Sequence, residues 1–232
     1  MLAFLLFAAL QSQPADETPL TLDSSVEAAA EAEGQSADTP AAPAADAPAA
    51  DAAPASGVPE ADVKAVADAL ETGFRACVQQ VANRSHVSRA REEALKKEGV
   101  DLDQVAPEEV ATYGKGRLPD DRLVAKVTSK TGNVWLTAFP DRPQCIVTVS
   151  DTAAAPAARE EINTRMAGNK DWSSDSARSH TANGVERKAW TQAAGVRDTR
   201  LLMQLDGPEE AVEGGAGIQA IMTIAFIDTK AN

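Results

Sequence analysis

The sequence predicts an α+β fold, an antiparallel sheet of about six strands with helices on one face, preceded by a disordered tail. Three observations carry that expectation. Apolar residues recur at three- and four-residue steps after Pro59, and the period changes to two at Leu123. The links between the alternating segments are short and rich in turn formers. The element order reads helix, three strands, helix, three or four strands.

From Glu60 onward, Val63, Val66, Leu70, Phe74, Cys77, Val78 and Val81 form one apolar stripe of an amphipathic helix. Pro59 suits its first turn, and Glu60 and Asp62 suit the positive end of its dipole. A more polar helix is expected from Ser88 to Glu98, stopped by Gly99. Pro107-Glu108-Glu109 opens a short turn before Gly114-Lys115-Gly116.

Leu123, Ala125 and Val127 then alternate with Val124, Lys126 and Thr128. Lys130-Thr131-Gly132-Asn133 turns the chain into a return strand, Val134 to Phe139, and Pro140-Asp141-Arg142-Pro143 turns it into a third, Cys145 to Val149. Parallel strands need long crossovers, so links this short demand an antiparallel meander. Thr152 to Gly168 reads as the next helix, capped by Asp151 or Thr152, with Pro156 in its first turn. Strands resume at Val185–Trp190 after an Asn183-Gly184 turn, then Leu201–Leu205 and Ile218–Ile227, with a short strand near Ser176–His180. The last strand is apolar on both faces, which places it centrally in the sheet. The order suggests an αβββ unit used twice, although the two stretches share no sequence similarity.

The domain organisation follows from composition. Residues 1–15 are expected to be a signal peptide: the apolar run Leu2–Leu10 fits an h-region and falls short of the ~20 residues that span a bilayer. No Lys or Arg precedes the run and no clean small-x-small cleavage site follows it. Residues 16–59 form an Ala/Pro/acidic tail containing Ala-Pro-Ala-Ala-Asp twice, from Ala42 and Ala47. Residues 60–232 form the disulfide-stabilised domain. Periplasmic or secreted localisation follows, with no stable membrane span unless the N-terminal segment is retained.

The formal charge of −13 is uneven. Residues 1–60 hold ten acids and no base, leaving 25 acids against 22 bases, a net of −3, in the rest. Phosphate neutralisation needs a basic excess, so nucleic acid is not an expected partner. Arg84, His86, Arg89, Arg91, Lys96 and Lys97 are clustered but interspersed with Glu92, Glu93 and Glu98. They read as a solvated helix face, with an anionic contact, the acidic tail included, as the sharper reading.

Cys77 and Cys145 are expected to form one disulfide pinning helix to sheet, because both fall on apolar stripes and an exported chain meets an oxidising compartment. The chain lacks a Cys-x-x-Cys redox motif. His86 and His180 are its two histidines, and neither lies in a His-Glu-x-x-His pattern. No cofactor and no metal are expected. The best catalytic constellation is His180 with Ser174, Asp175, Ser176 and Ser179, a candidate base near hydroxyls and an acid. Asn83-Arg84-Ser85 matches the N-glycosylation sequon.

Aromatic residues are scarce, which singles out Trp135, Phe139 and Trp172 as possible binding residues; Trp190 is the remaining tryptophan. Trp135 and Phe139 share one face of their strand, and core packing is the competing role for all of them. The sequence therefore predicts an exported, non-enzymatic domain that binds an unidentified envelope protein or a small apolar ligand. The alternatives are an envelope hydrolase built on His180 and a structural component presenting a sheet edge.

Overall fold

The computed structural model describes residues 57–115, 118–195, 198–210 and 212–228; the expected signal segment and tail residues 16–56 lie outside them. Among the described residues the fold is α+β, with four helices and one nine-stranded antiparallel sheet. Helix α1 (Glu60–Ala82) is followed by a 3-10 turn (Arg89–Arg91), α2 (Glu92–Lys97), β1 (Val100–Asp101) and α3 (Glu108–Thr112). The meander β2 (Leu123–Val127), β3 (Asn133–Ala138) and β4 (Gln144–Ser150) leads into α4 (Ala155–Gly168). The chain closes with β5 (Ser173–Ser174), β6 (His180–Ala182), β7 (Val185–Ala193), β8 (Thr199–Pro208) and β9 (Ile218–Asp228).

The sheet order is β1-β2-β3-β4-β9-β8-β7-β5, with β6 also on β7. Two αβββ halves therefore meet at the β4–β9 pair, where Val147 faces Met222 and Cys145 faces Ile224. The last strand is central, flanked by β4 and β8, as its two apolar faces require. The strands beyond the expected six are short: β1 pairs Val100 with Val127, and β5 and β6 pair with β7. The strand expected at Ser176–His180 appears as these two fragments around a turn in which Asp175 O accepts from Ser179 N at 3.0 Å. Two residues carry too little alternation to register as a strand. These short pieces cover the outer edges of β2 and β7, which would otherwise expose rows of unpaired peptide groups. The hairpin from β6 to β7 turns at Asn183 and Gly184, both with positive φ, as an Asn-Gly link demands.

Alternate residues of the central strands face α1 and α4. Val134, Leu136, Ala138, Val147, Val149, Met203, Leu205, Met222 and Ile224 join Val66, Leu70 and Cys77 of α1 and Ala158 and Ile162 of α4 in one core. Gly73 lets α1 approach the sheet closely: a Cβ there would meet the Val147 methyls at 2.9 Å. Cys77 and Cys145 are fully buried and disulfide-bonded, with a Cα–Cα distance of 5.3 Å, tying α1 to β4.

The opposite face is covered in part by the end of α3 with Tyr113 and Leu118. Thr112, Tyr113 and Leu118 share a hollow with Gln144, Ile146 and Thr223 of that face. Arg122 holds the crossing segment by donating to Ala111 O at 2.5 Å and Pro119 O at 3.2 Å. No described helix is long and apolar enough to cross a membrane.

Candidate functional site

Helix length creates the candidate site. At ~1.5 Å per residue, the 23-residue α1 reaches ~35 Å and the 14-residue α4 ~21 Å. Helix α4 ends at Gly168, and the chain turns through Asn169 into Trp172, whose N–H donates to Asn169 O at 3.2 Å. Hollows remain on both sides of this shorter helix.

Between α1 and α4 lies a groove of about 550 Å³, floored by Ile162, Met166, Met203 and Met222, walled by Phe74 and Gly168, and rimmed by Glu71, Arg75, Arg165 and Asn169. Apart from Met1, these three methionines are all that the sequence contains. Unbranched thioether side chains adapt to irregular apolar shapes, which makes such a floor permissive toward different occupants. On the β7 side, a second hollow of about 450 Å³ is lined by Asn163, Met166, Trp172, Lys188 and Trp190. Thr164 and Met166 border both. The Trp172 ring meets Phe74 edge-on, with centroids 5.4 Å apart and planes at 60°.

The rim is electrostatically fixed. Arg165 bridges the helices, with Nη1 3.0 Å from Asp68 Oδ1 and 2.7 Å from Glu71 Oε2, and Nε 3.0 Å from Glu161 Oε1. Partial burial opposes the charge of this guanidinium, and the hydrogen bonds to Glu161, Glu71 and Asp68 outweigh that effect and raise its pKa. Asp68 is held below its usual value, first by the Lys64 hydrogen bond and further by Arg165. The groove thus has a firm charged border and a soft apolar floor. It suits an apolar group carrying a polar or charged end.

The expected binding residues separate. Trp172, 8 % exposed, stands at the hollows, joined by Trp190 at 5 %, which the sequence left without a role. Trp135 and Phe139 lie on the opposite side of β3, buried and apart from the main core. Lys126 sits over the Trp135 ring at 5.6 Å, and among the described residues Trp135 Nε1 has no hydrogen-bond partner. Neither ring is presented to solvent. Phe74 and the methionines were visible only as core-stripe residues, and only the end of α4 turns them into a site.

In the His180 constellation, Asp175 and Ser179 are engaged with other partners. Asp175 Oδ2 accepts from Arg178 Nη1 at 2.8 Å, and Ser179 Oγ donates to Asp175 O at 2.8 Å while accepting from Ala189 N at 3.0 Å. His180 is exposed on β6, and among the described residues its ring makes no hydrogen bond. Among the described residues, no three His, Cys, Asp or Glu side chains converge as metal ligands.

Three cations of the basic cluster, Arg89, Arg91 and Lys96, are paired with nearby acids. Arg89 reaches Glu92 at 3.0 Å and Asp103 at 3.3 Å, Arg91 reaches Glu98 at 3.3 Å, and Lys96 reaches Asp101 at 3.6 Å. His86 lies inside this cluster, against Arg91 Nη1 and 3.6 Å from Glu98 Oε2. Burial first, then Arg91, lowers its pKa, and Glu98 offsets part of the shift. Charges already matched in this way leave little potential for an anionic partner.

No family model, no curated protein and no solved structure matches this chain.

Proposed function

We propose that this chain is an exported, non-enzymatic binding domain that takes a small apolar ligand, or an apolar side chain of an envelope partner, into the groove between α1 and α4. The observation that carries the reading is the convergence of Met166, Met203 and Met222 with Phe74 beneath a charged rim. Export is supported by the buried Cys77–Cys145 bond, since such bonds persist in oxidising compartments. A binding rather than catalytic role is supported by the state of the best hydrolytic constellation. Its acid Asp175 is engaged by Arg178, and the hydroxyl of Ser179, one of its three serines, is engaged by the backbone.

The test uses Gly168→Leu. Gly168 lines the groove, and a Cβ built there has nothing within 4 Å, so a larger side chain can be introduced at the groove wall. Replacing a helical glycine also recovers up to ~1 kcal/mol of helix propensity, so the melting temperature should hold or rise. The probe is 1-anilinonaphthalene-8-sulfonate, an apolar ring system with an anionic end. Saturable one-site binding to the full chain, weakened at least tenfold in G168L, is the expected result. Equal binding by both proteins, or none by the wild type, contradicts the assignment.

A further inference from the structure

We propose that Asn83 is the acceptor of an N-linked glycan. The sequon Asn83-Arg84-Ser85 is exposed and follows directly on the last residue of α1. Such triplets also arise by chance, and local geometry sets this one apart. The backbone leaves the helix at Asn83 (φ −136°, ψ 98°), and its Oδ1 accepts from Ser85 N at 3.3 Å and from Ser85 Oγ at 2.8 Å. This is an Asx turn. It places both donors of the sequon serine on the carbonyl side of the amide. Among the described residues, Asn83 Nδ2 makes no hydrogen bond.

The chemistry follows from that arrangement. An amide nitrogen is a poor nucleophile because its lone pair is delocalised into the carbonyl. Two donors on Oδ1 favour the electron distribution that prepares the nitrogen to lose a proton and attack. The co-substrate class is a polyprenyl-diphosphate-linked oligosaccharide. Nδ2 forms a bond to the anomeric carbon, the bond from that carbon to the diphosphate oxygen breaks, and polyprenyl diphosphate leaves. The proton lost from Nδ2 passes to a base of the transferase. The turn is exposed and is held from beneath: Gln80 Nε2 donates to Arg84 O at 2.7 Å, and Ser88 Oγ donates to Ser85 O at 2.9 Å. Asn83 lies eight residues beyond Arg75 of the groove rim, ~12 Å along the helix axis at 1.5 Å per residue.

The inference rests on the export reading, since the glycan donor meets proteins across the export membrane. It is tested on full-length protein purified from its native host, reduced and digested with trypsin. The peptide Ala76–Arg84 should carry a hexose- or N-acetylhexosamine-containing mass increment. That increment should be lost in Asn83→Gln and Ser85→Ala and kept in Ser85→Thr, with the Cys77–Cys145 bond formed in all of them. An unmodified peptide from a chain that has lost its N-terminal segment and shows no free thiols overturns the glycan alone. An unprocessed chain with two alkylatable thiols overturns export and the glycan with it.

Discussion

In the first αβββ half, a 23-residue helix lies over β2, β3, β4 and β9 and is covalently tied to β4; in the second, a 14-residue helix lies over β8 and β9 with no covalent tie. Nine buried residues anchor α1, and five anchor α4, of which Arg159 is held by hydrogen bonds to Pro208 O and Glu186. The same topology therefore serves two purposes. Continuous apolar contact makes the first half a scaffold. The shorter helix of the second leaves the hollows where Trp172, Trp190 and the methionines meet.

Removing the covalent tie should have the largest effect. For a sequence separation of 68, the chain-entropy model gives about 4 kcal/mol. Cys77→Ala/Cys145→Ala should lose roughly that amount in urea-monitored unfolding at neutral pH. A loss under ~1 kcal/mol, well below the usual range for native disulfides, would erase the distinction between a bolted and an unbolted half. The next contrast compares one buried aliphatic on each helix. Leu70→Ala on α1, fully buried, should cost roughly 3–4 kcal/mol, and Ile162→Ala, at 4 % exposed beside the groove, roughly 2 kcal/mol. The groove edge can relax around the missing methyls, whereas the centre of α1 cannot. Equal or reversed losses in thermal melts would show that α4 is packed as firmly as α1.

The smallest effect concerns pH. Burial and Arg91 hold the folded-state pKa of His86 below 6.5, so the unfolded chain takes up the proton more readily. The contribution of the neutral ring is intact above 6.5 and declines as pH falls from there toward the folded pKa. Wild type should lose more stability than His86→Gln between pH 7 and pH 5. Parallel losses in the two proteins would remove His86 from the account.

Much of the scaffold was legible in the sequence. The stripe from Val63 to Val81 gave α1, alternation gave β2 to β4, and the two-faced apolarity of Ile218–Ile227 placed β9 centrally. The pairing of Cys77 with Cys145 followed from two stripes that must face one core. The α4 boundary fell three residues late, at Ala155, because Pro156 sits in its first turn. The site was far less legible. Trp172 drew attention as an aromatic, but its partner Phe74 looked like any stripe residue. Met203 and Met222 lie on strands whose neighbours are fixed only by the β8–β9 register, in which Met203 faces Ile224 and Leu205 faces Met222. Trp135 shows the converse: its strand alternation was plain, but nothing local revealed that the end of α3 with Tyr113 and Leu118 would cover part of that face. Sites made by where a helix stops require knowing what the helix lies on.

The groove beside α4 and the face beneath α3 are distinguished by which side chains respond to an apolar ligand. The most direct measurement is a carbon-13 methyl-methionine spectrum of the full chain, recorded with the indole N–H signals while 1-anilinonaphthalene-8-sulfonate is added. A ligand seated beside α4 should give saturable shifts of Met166, Met203 and Met222 together with Trp172, and a stationary Trp135 signal. Stationary methionines, or a Trp135 signal that moves while they do not, would contradict it.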